Sequence, residues 1–562
     1  MNPPGAVAPA TWLRDRRTAI LLLAVGLAVL LPEFVAGPST SDSLRYNIVW
    51  LDQWRELVVG GNLYPRWMPR AWDGLGSPAF IFYPPLFFWI AVGLDQLTLR
   101  LLETGTLLSL TSAILLGASG LTMRHWLRAH VGAGTALLGA LAYMVAPYHL
   151  YDIFARAALA ETCAYAVLPL VLLGIKRAGE GNASALLALA VAYASLILSH
   201  LPVALLASVT LVPAYALFVT RRVGALARLA AAGLLGLGLA AIYLIPALTE
   251  GHTILAQALN TSFYRPENWY FRHGGVLSRP IMWIVVPACV AAVLLAFAAA
   301  IRADGEGRAR TLFWAASSLA IVLLIAGVPP AFWQLPPIAQ VQFPWRLMVV
   351  LEFAVITCVA LSAQRLVKPL ALLAAVPLTG AVCLAALLSA QRLDASRLRS
   401  RADIATIRAV YRDAPEYLPA GWPLPLGPDG IPNPSLVRLP QVPLVQARAG
   451  VRASVQVLGD GGLIVEVESS SPTTVIARRF RHGPWGVVDE RGHPVRTNTT
   501  PDFLVSWTTP AGRSLFRLEL AESRSTFYGR LISGLSLLAF LFLAAGAERA
   551  RHGRAAPLQA VP

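Results

Sequence analysis

The sequence predicts an α-helical polytopic membrane protein of about twelve transmembrane helices, with a small extracytoplasmic β-sandwich-like domain before its last helix. Three observations predict it. Of the 562 residues, 56% are hydrophobic and 14% charged, whereas soluble domains run at about 25% charged. Runs such as TAILLLAVGLAVLL, LLALAVAYASLIL and LISGLSLLAFLFLAAG approach or exceed the length needed to cross a hydrocarbon core of about 30 Å. After residue 440 the pattern changes to short alternating runs between glycine and proline turns. An ordinary soluble enzyme is excluded. The net charge of +16 first suggests nucleic acid, but the basic residues sit between apolar runs and read as topology signals. No nucleic-acid partner is expected. Cys163, Cys289, Cys358 and Cys383 all fall in apolar segments without paired spacing, which suggests neither a disulfide framework nor a zinc site.

The apolar segments lie at roughly 17–36, 104–123, 131–147, 160–175, 183–199, 203–220, 229–247, 281–301, 311–328, 347–362, 369–390 and 527–547. A thirteenth, AFIFYPPLFFWIAVGL, is ambiguous. If it does not span and the N-terminus is inside, the clusters Arg124/Arg128, Lys176/Arg177, Arg221/Arg222/Arg228, Arg302/Arg308/Arg310 and Arg365/Lys368 all fall on the cytoplasmic side, as the positive-inside rule asks. The segment therefore reads as interfacial or re-entrant. The resulting organisation is a cytoplasmic N-terminus at 1–16, a membrane domain at 17–390 with interfacial helices at about 45–60 and 80–97, an extracytoplasmic domain at 391–526, a final helix at 527–548 and a basic cytoplasmic tail at 549–562. The chain is expected to cross its membrane many times, and the N-terminal run lacks a small-residue cleavage site. In the extracytoplasmic domain a charged helical stretch and a proline-rich connector precede the strand-like runs VRASVQVL, LIVEVES, TTVIARRF, FLVSWTT and SLFRLEL, with GDGG, HGPW, ERGHP and PAGR as turns.

Ionisable groups at apolar boundaries are the functional candidates. Asp42 lies just after the first helix and before an amphipathic stretch bearing Trp50, Leu51, Trp54, Leu57 and Val58. It serves equally well as an N-cap of that stretch. Tyr64, Trp67, Trp72, Tyr83 and Trp89 follow among glycines and prolines, as interfacial anchors or as a shaped binding loop. In APYHLYDIFARAALAET, Arg156 and Glu161 stand five apart, an offset that implies no clean salt bridge along one helix. His200 in SHLP reads equally as a helix-end histidine or a ligand-facing one. Arg265 and Glu267 in FYRPENWYF are further apolar-flanked charges, and Arg346 in VQFPWRL departs from the loop charge pattern and needs an anionic partner. Carboxylates, arginines and an aromatic belt together suit an amphiphilic anionic substrate such as a polyprenyl-phosphate sugar.

The order Asp42, GGNLYPRW, GLGSPAFIFYPPLFFW, YHLYDIFARAALAE, SHLP, QFPWR and EYLP resembles the bacterial membrane proteins called 6-pyruvoyl-tetrahydropterin synthase related, a YfhO-like branch of the GT-C glycosyltransferase superfamily. The resemblance covers about residues 17–425. It implies an outward-facing site, a lipid-phosphate sugar donor, and an acidic first-loop residue acting as base or metal ligand, the position matched by Asp42. Glu161, with Asp152 behind it, matches the acidic residues of the second outer loop. Tyr46 stands where many relatives of the superfamily carry a histidine.

The reading that follows is a glycosyltransferase with Asp42 and Glu161 catalytic, and with Arg156, Arg346, His200, Tyr83, Tyr64 and Trp67 binding substrate. Its partners are a polyprenyl-phosphate sugar donor, a glycan, lipid or protein acceptor, and membrane lipids. No dedicated metal motif is visible; a divalent cation, magnesium or manganese, is compatible with the resemblance through Glu161. The alternative is a non-enzymatic transporter, flippase or assembly partner for envelope glycolipids, which should carry charges and broken helices at the membrane midplane.

Overall fold

A computed structural model describes residues 9–38, 43–271, 279–303, 305–366, 407–408, 412–428, 430–448, 450–483 and 485–555. Eleven of the twelve apolar segments are helical there; the twelfth, 369–390, lies outside the described residues, as does most of the charged stretch that follows it. Among the described residues five helices are long and apolar enough to cross a membrane, at Thr104–Arg128, Leu159–Gly179, Gly305–Ile325, Pro344–Ala363 and Arg524–Arg549, or seven if each bent pair counts as one span. The helix Leu159–Gly179 forms the centre, buried along nearly its whole length. The C-terminal helix Arg524–Ala555 lies at the rim, with no residue of its most apolar window fully buried.

Two segments that read as single spans are each broken. The 203–220 run bends by 42° at Thr210 and the 229–247 run by 74° at Ala240. A break in an apolar medium frees backbone groups that need partners. At the second break Ser533 of the rim helix supplies them. Its hydroxyl donates to the Gly238 and Leu239 carbonyls at 3.0 Å each and accepts the Ile242 N–H at 2.8 Å. Small residues let other helices approach closely, as in many membrane bundles: a Cβ on Gly236 would stand 2.8 Å from the Ala190 carbonyl oxygen.

The ambiguous segment at 79–94 breaks at Tyr83 into short helices Ala79–Phe82 and Leu86–Leu97. Pro84 and Pro85 account for the break, because a proline biases the residue before it away from helical geometry. The second helix is about 18 Å long at 1.5 Å per residue, too short to span. It packs beside the amphipathic helix Leu44–Val59, where Arg55 holds Asp95 through two bonds of 2.9 and 2.7 Å.

Residues 445–520 form two antiparallel sheets. One has the order β1 (Val445–Gln446), β4 (Thr473–Phe480), β8 (Leu504–Thr509), β7 (Thr497–Thr499); the other runs β2 (Arg452–Val457), β3 (Leu463–Ser469), β9 (Gly512–Leu520), β5 (Trp485–Asp489), β6 (Pro494–Val495). Alternation decides the inward face: Leu463, Val465 and Val467 of β3 meet Trp507, Phe516 and Leu518 between the sheets. The HGPW sequence, which reads as a turn, leads directly into β5, because Trp485 and Val487 point into that core.

The β domain is bolted to the loop between the amphipathic helix and residue 79. Trp67 enters its core, edge-on to Trp485 at 5.2 Å. Gly76 faces the Trp67 ring at φ +89°, so only glycine fits both the conformation and the contact. Arg479, 4% exposed, donates to the carbonyls of Gly461 and Gly74 at 2.7 Å each, and the Phe480 N–H donates to Leu75 at 2.8 Å.

Candidate functional site

The site begins where the second loop leaves the bundle. Pro147 opens a short helix, Pro147–Tyr151, which widens into a π-turn at Asp152–Arg156. Ala157, at φ 48°, then reverses the chain, so that Glu161 falls in the first turn of the helix Leu159–Gly179. A carboxylate there is favoured by the helix dipole. The reversal brings Glu161 back against Arg156, and the pair that the five-residue offset did not imply is made. Arg156 Nη1 lies 2.9 Å from Glu161 Oε2, 2.6 Å from Asp152 Oδ1 and 2.7 Å from the Tyr148 hydroxyl. Tyr148 in turn donates to Glu161 Oε1 at 2.8 Å. The linear spacing failed because the two residues do not share a helix.

Asp152 and Glu161 are fully buried and share one guanidinium, which balances the charge of only one of them. Burial, with Glu161 beside it, holds the Asp152 carboxyl above the usual carboxylate range. Its Oδ2 has no hydrogen-bond partner among the described residues.

Arg346 differs from Arg156. It sits in the turn Pro344–Leu347, donates to the Val341 carbonyl at 2.5 Å, and lies 5.1 Å from the Phe343 ring centre. Among the described residues it forms no ion pair, and its buried Nε has no hydrogen-bond partner. Glu161 and Arg156 are both within its electrostatic reach. His200 reaches the same three charges while its Nδ1 accepts the Val203 N–H at 3.3 Å. The helix-end role is therefore filled, and the ring proton is left to Nε2. Tyr83, at the break between its two short helices, also lies within electrostatic reach of Arg346, Glu161 and Arg156.

The structure thus gathers Arg156, Glu161, Arg346, His200 and Tyr83. Tyr64 and Trp67 lie elsewhere. Trp67 is 5% exposed within the β-domain contact, and Tyr64 donates to the Phe80 carbonyl at 3.1 Å. Both line a separate cleft of about 210 Å3 with Arg66, Glu250, Asp460 and Arg530. Asp42 falls in 39–42, outside the described residues. Its neighbour Ser43 donates to the Arg156 carbonyl at 3.2 Å, and Asn47 to the Ala157 carbonyl at 2.8 Å. The amphipathic helix therefore starts against the Arg156 loop.

Sequence reasoning singled out neither Tyr148 nor Glu352. Glu352, inside the span Pro344–Ala363, accepts the Tyr148 N–H and the Tyr165 hydroxyl at 2.7 Å each. A carboxylate within an apolar helix was the available signal. For a divalent cation the described donors do not fit. Asp152 and Glu161 already hold Arg156, and no third carboxylate, histidine or cysteine among the described residues completes a cluster with them.

A family model described as the 6-pyruvoyl-tetrahydropterin synthase related domain, a membrane protein, matches residues 80–395. No curated protein matches the chain. Among solved structures it is similar to the arabinofuranosyltransferase AftD from mycobacteria, at 20% identity and a TM-score of 0.46, over 69% of this chain and 27% of that one. A mutant form of AftD gives 19% identity and 0.46, over 69% and 28%. The chain spans about a quarter of the length of these structures.

Proposed function

We propose, on the premise that this chain belongs to the 6-pyruvoyl-tetrahydropterin synthase related family of membrane proteins, that it is a GT-C-type glycosyltransferase. It would move a sugar from a polyprenyl-phosphate donor to a cell-envelope acceptor at the outer face of the cytoplasmic membrane. The observation that carries this reading is Arg346: a cation without an ionic partner among the described residues, at the end of an apolar span and beside a rigid carboxylate–arginine cluster. A lipid-linked phosphate supplies both the missing anion and a tail for the lipid phase.

In this mechanism Asp42 takes the proton of the acceptor hydroxyl as its oxygen bonds to the anomeric carbon. The bond from that carbon to the donor phosphate breaks, and polyprenyl phosphate departs against Arg346. Arg156, committed to Asp152 and Glu161, shapes the pocket wall and contributes little net positive charge. His200 Nε2–H and the Tyr83 hydroxyl are left to orient sugar oxygens. No step is routed through a metal ion.

The broken helices favour the alternative, a transporter or flippase, because such proteins break helices around their substrate. Against it, the break at Ala240 is plugged by Ser533, and Glu352 is bound by two protein donors. Purified protein in nanodiscs, supplied with polyprenyl-phosphate sugars, decides between them. The expected result is sugar transfer that Arg346→Gln weakens through donor binding. Donor translocation without transfer would establish the alternative.

A further inference from the structure

The cleft of about 210 Å3 lies where the loop after the amphipathic helix, the end of the helix Ala241–Thr249 and the start of the rim helix meet the β domain. It shares no residue with the Arg346 site. Two opposite charges, Arg66 and Glu250, line it, and the protein holds each in place. Arg66 donates to the Ile242 carbonyl at 3.0 Å and lies 4.2 Å from the Tyr64 ring centre. Its buried Nε has no hydrogen-bond partner among the described residues. Glu250, 5% exposed, accepts the Ser523 and Ser525 hydroxyls, both on Oε1. The two charges are within electrostatic reach of each other, yet among the described residues neither forms an ion pair. A carboxylate buried to this degree is costly until a cation meets it.

The rest of the lining narrows the ligand. Arg530 is already paired with Glu522 at 2.8 Å, and Asp460 accepts the Gly462 N–H at 2.9 Å. Two arginines against three carboxylates disfavour a ligand that is only anionic, and Arg66 disfavours one that is only cationic. The volume is below the ~300–1,000 Å3 of pockets that enclose a whole small molecule, so a small polar head fits, with the remainder of the ligand outside. Beside the cleft the rim helix turns an apolar stripe outward. Phe527, Leu531, Leu535 and Leu538 are between 45% and 63% exposed, at the three- and four-residue spacing of one helix face. Thr526 and Arg530 of the same helix line the cleft itself.

We propose that this cleft binds the head group of a phospholipid carrying both a phosphate and a primary ammonium, the phosphate on Arg66 and the ammonium on Glu250, with the acyl chains along Phe527 and Leu531. The site is separate from the transferase chemistry and does not depend on it. The Arg66 Nε–H is a directed donor for a phosphate oxygen. The ammonium supplies Glu250 with a counter-charge and a charge-assisted hydrogen bond, whereas a quaternary ammonium has no N–H to donate. Arg66 is bonded to the kinked helix and Glu250 to the start of the rim helix, so the bound lipid ties the β-domain loop to both.

The test uses the full chain, delipidated in detergent and titrated with dioleoyl phosphatidylethanolamine, phosphatidylcholine or phosphatidylglycerol. The affinity of the first bound lipid is read by native mass spectrometry. Phosphatidylethanolamine should bind about tenfold or more tightly than either of the others, as expected for a charge-assisted hydrogen bond that it alone makes. This comparison is made on the unmodified protein and needs no variant to fold. Glu250→Gln should abolish the preference over phosphatidylcholine. Arg66→Gln should weaken both of those lipids about tenfold, and Arg66→Lys, which keeps the cation, should weaken them less. Equal affinities for the three lipids, a preference that survives Glu250→Gln, or unchanged affinities in Arg66→Gln overturns the site.

Discussion

The Glu352 carboxylate accepts the backbone N–H of Tyr148 at 2.7 Å, across 204 residues of sequence, and so fixes the loop carrying Arg156 to the helix that follows Arg346. A second bond from the Tyr165 hydroxyl occupies its other oxygen. Glu352 is 4% exposed. Glu352→Ala leaves two buried donors unpaired, at about 1–3 kcal/mol each. A thermal midpoint lowered by several degrees in nanodiscs is expected, with a smaller loss for Glu352→Gln, which keeps an acceptor oxygen. An unchanged midpoint for the alanine variant would remove this bond from the account of the site.

Asp42→Asn separates capping from proton transfer, since asparagine caps a helix as well as aspartate. The variant should insert normally, bind donor like the unmodified protein, and lose about 10²-fold or more in turnover. Near-normal transfer would sink the assignment of Asp42 as base.

Asp413 provides a pH test of the contact between the EYLP segment and the amphipathic helix. Burial raises its carboxyl from 3.8 to about 6, against hydrogen bonds that favour the charged form. Because the folded value lies above the unfolded one, the folded state holds the proton more tightly. The stability this confers is fully present below about 3.8 and is lost as pH rises towards about 6, a change of up to ~3 kcal/mol from this group. Lowering the pH from about 7 to about 5 should therefore raise the midpoint of the unmodified protein relative to Asp413→Asn. Parallel pH profiles for the two proteins would contradict it.

The extracytoplasmic side expected for the β domain from arginine placement is open to labelling. Ser469 is buried, with its hydroxyl donating to Ser471 at 2.7 Å, whereas Ser470 is exposed. In a Cys383→Ser background, where the remaining Cys163, Cys289 and Cys358 are buried, Ser470→Cys should react with an impermeant reagent on intact spheroplasts. Labelling that required membrane disruption would invert the topology.

What the sequence determined by itself was local: the positions of eleven of the apolar helices, and five of the strands. Each rests on a hydrophobic period or on proline and glycine geometry within a few residues. Tertiary structure decided the rest, because the deciding partners are distant in the chain. The breaks at Thr210 and Ala240 are invisible in hydropathy, and the second is tolerated because Ser533, almost 300 residues away, supplies the missing bonds. Trp67 had the composition of an interfacial anchor, yet the sandwich core claimed it, since burying an indole against Trp485 and Gly76 is more favourable than leaving it at the surface. Arg156 and Glu161 read as a poor pair on one helix and became a close one when the reversal at Ala157 placed them on two. Sequence could name the charges that an apolar chain must accommodate; only the packing of distant segments determined which charges were neutralised and left Arg346 without an ionic partner among the described residues.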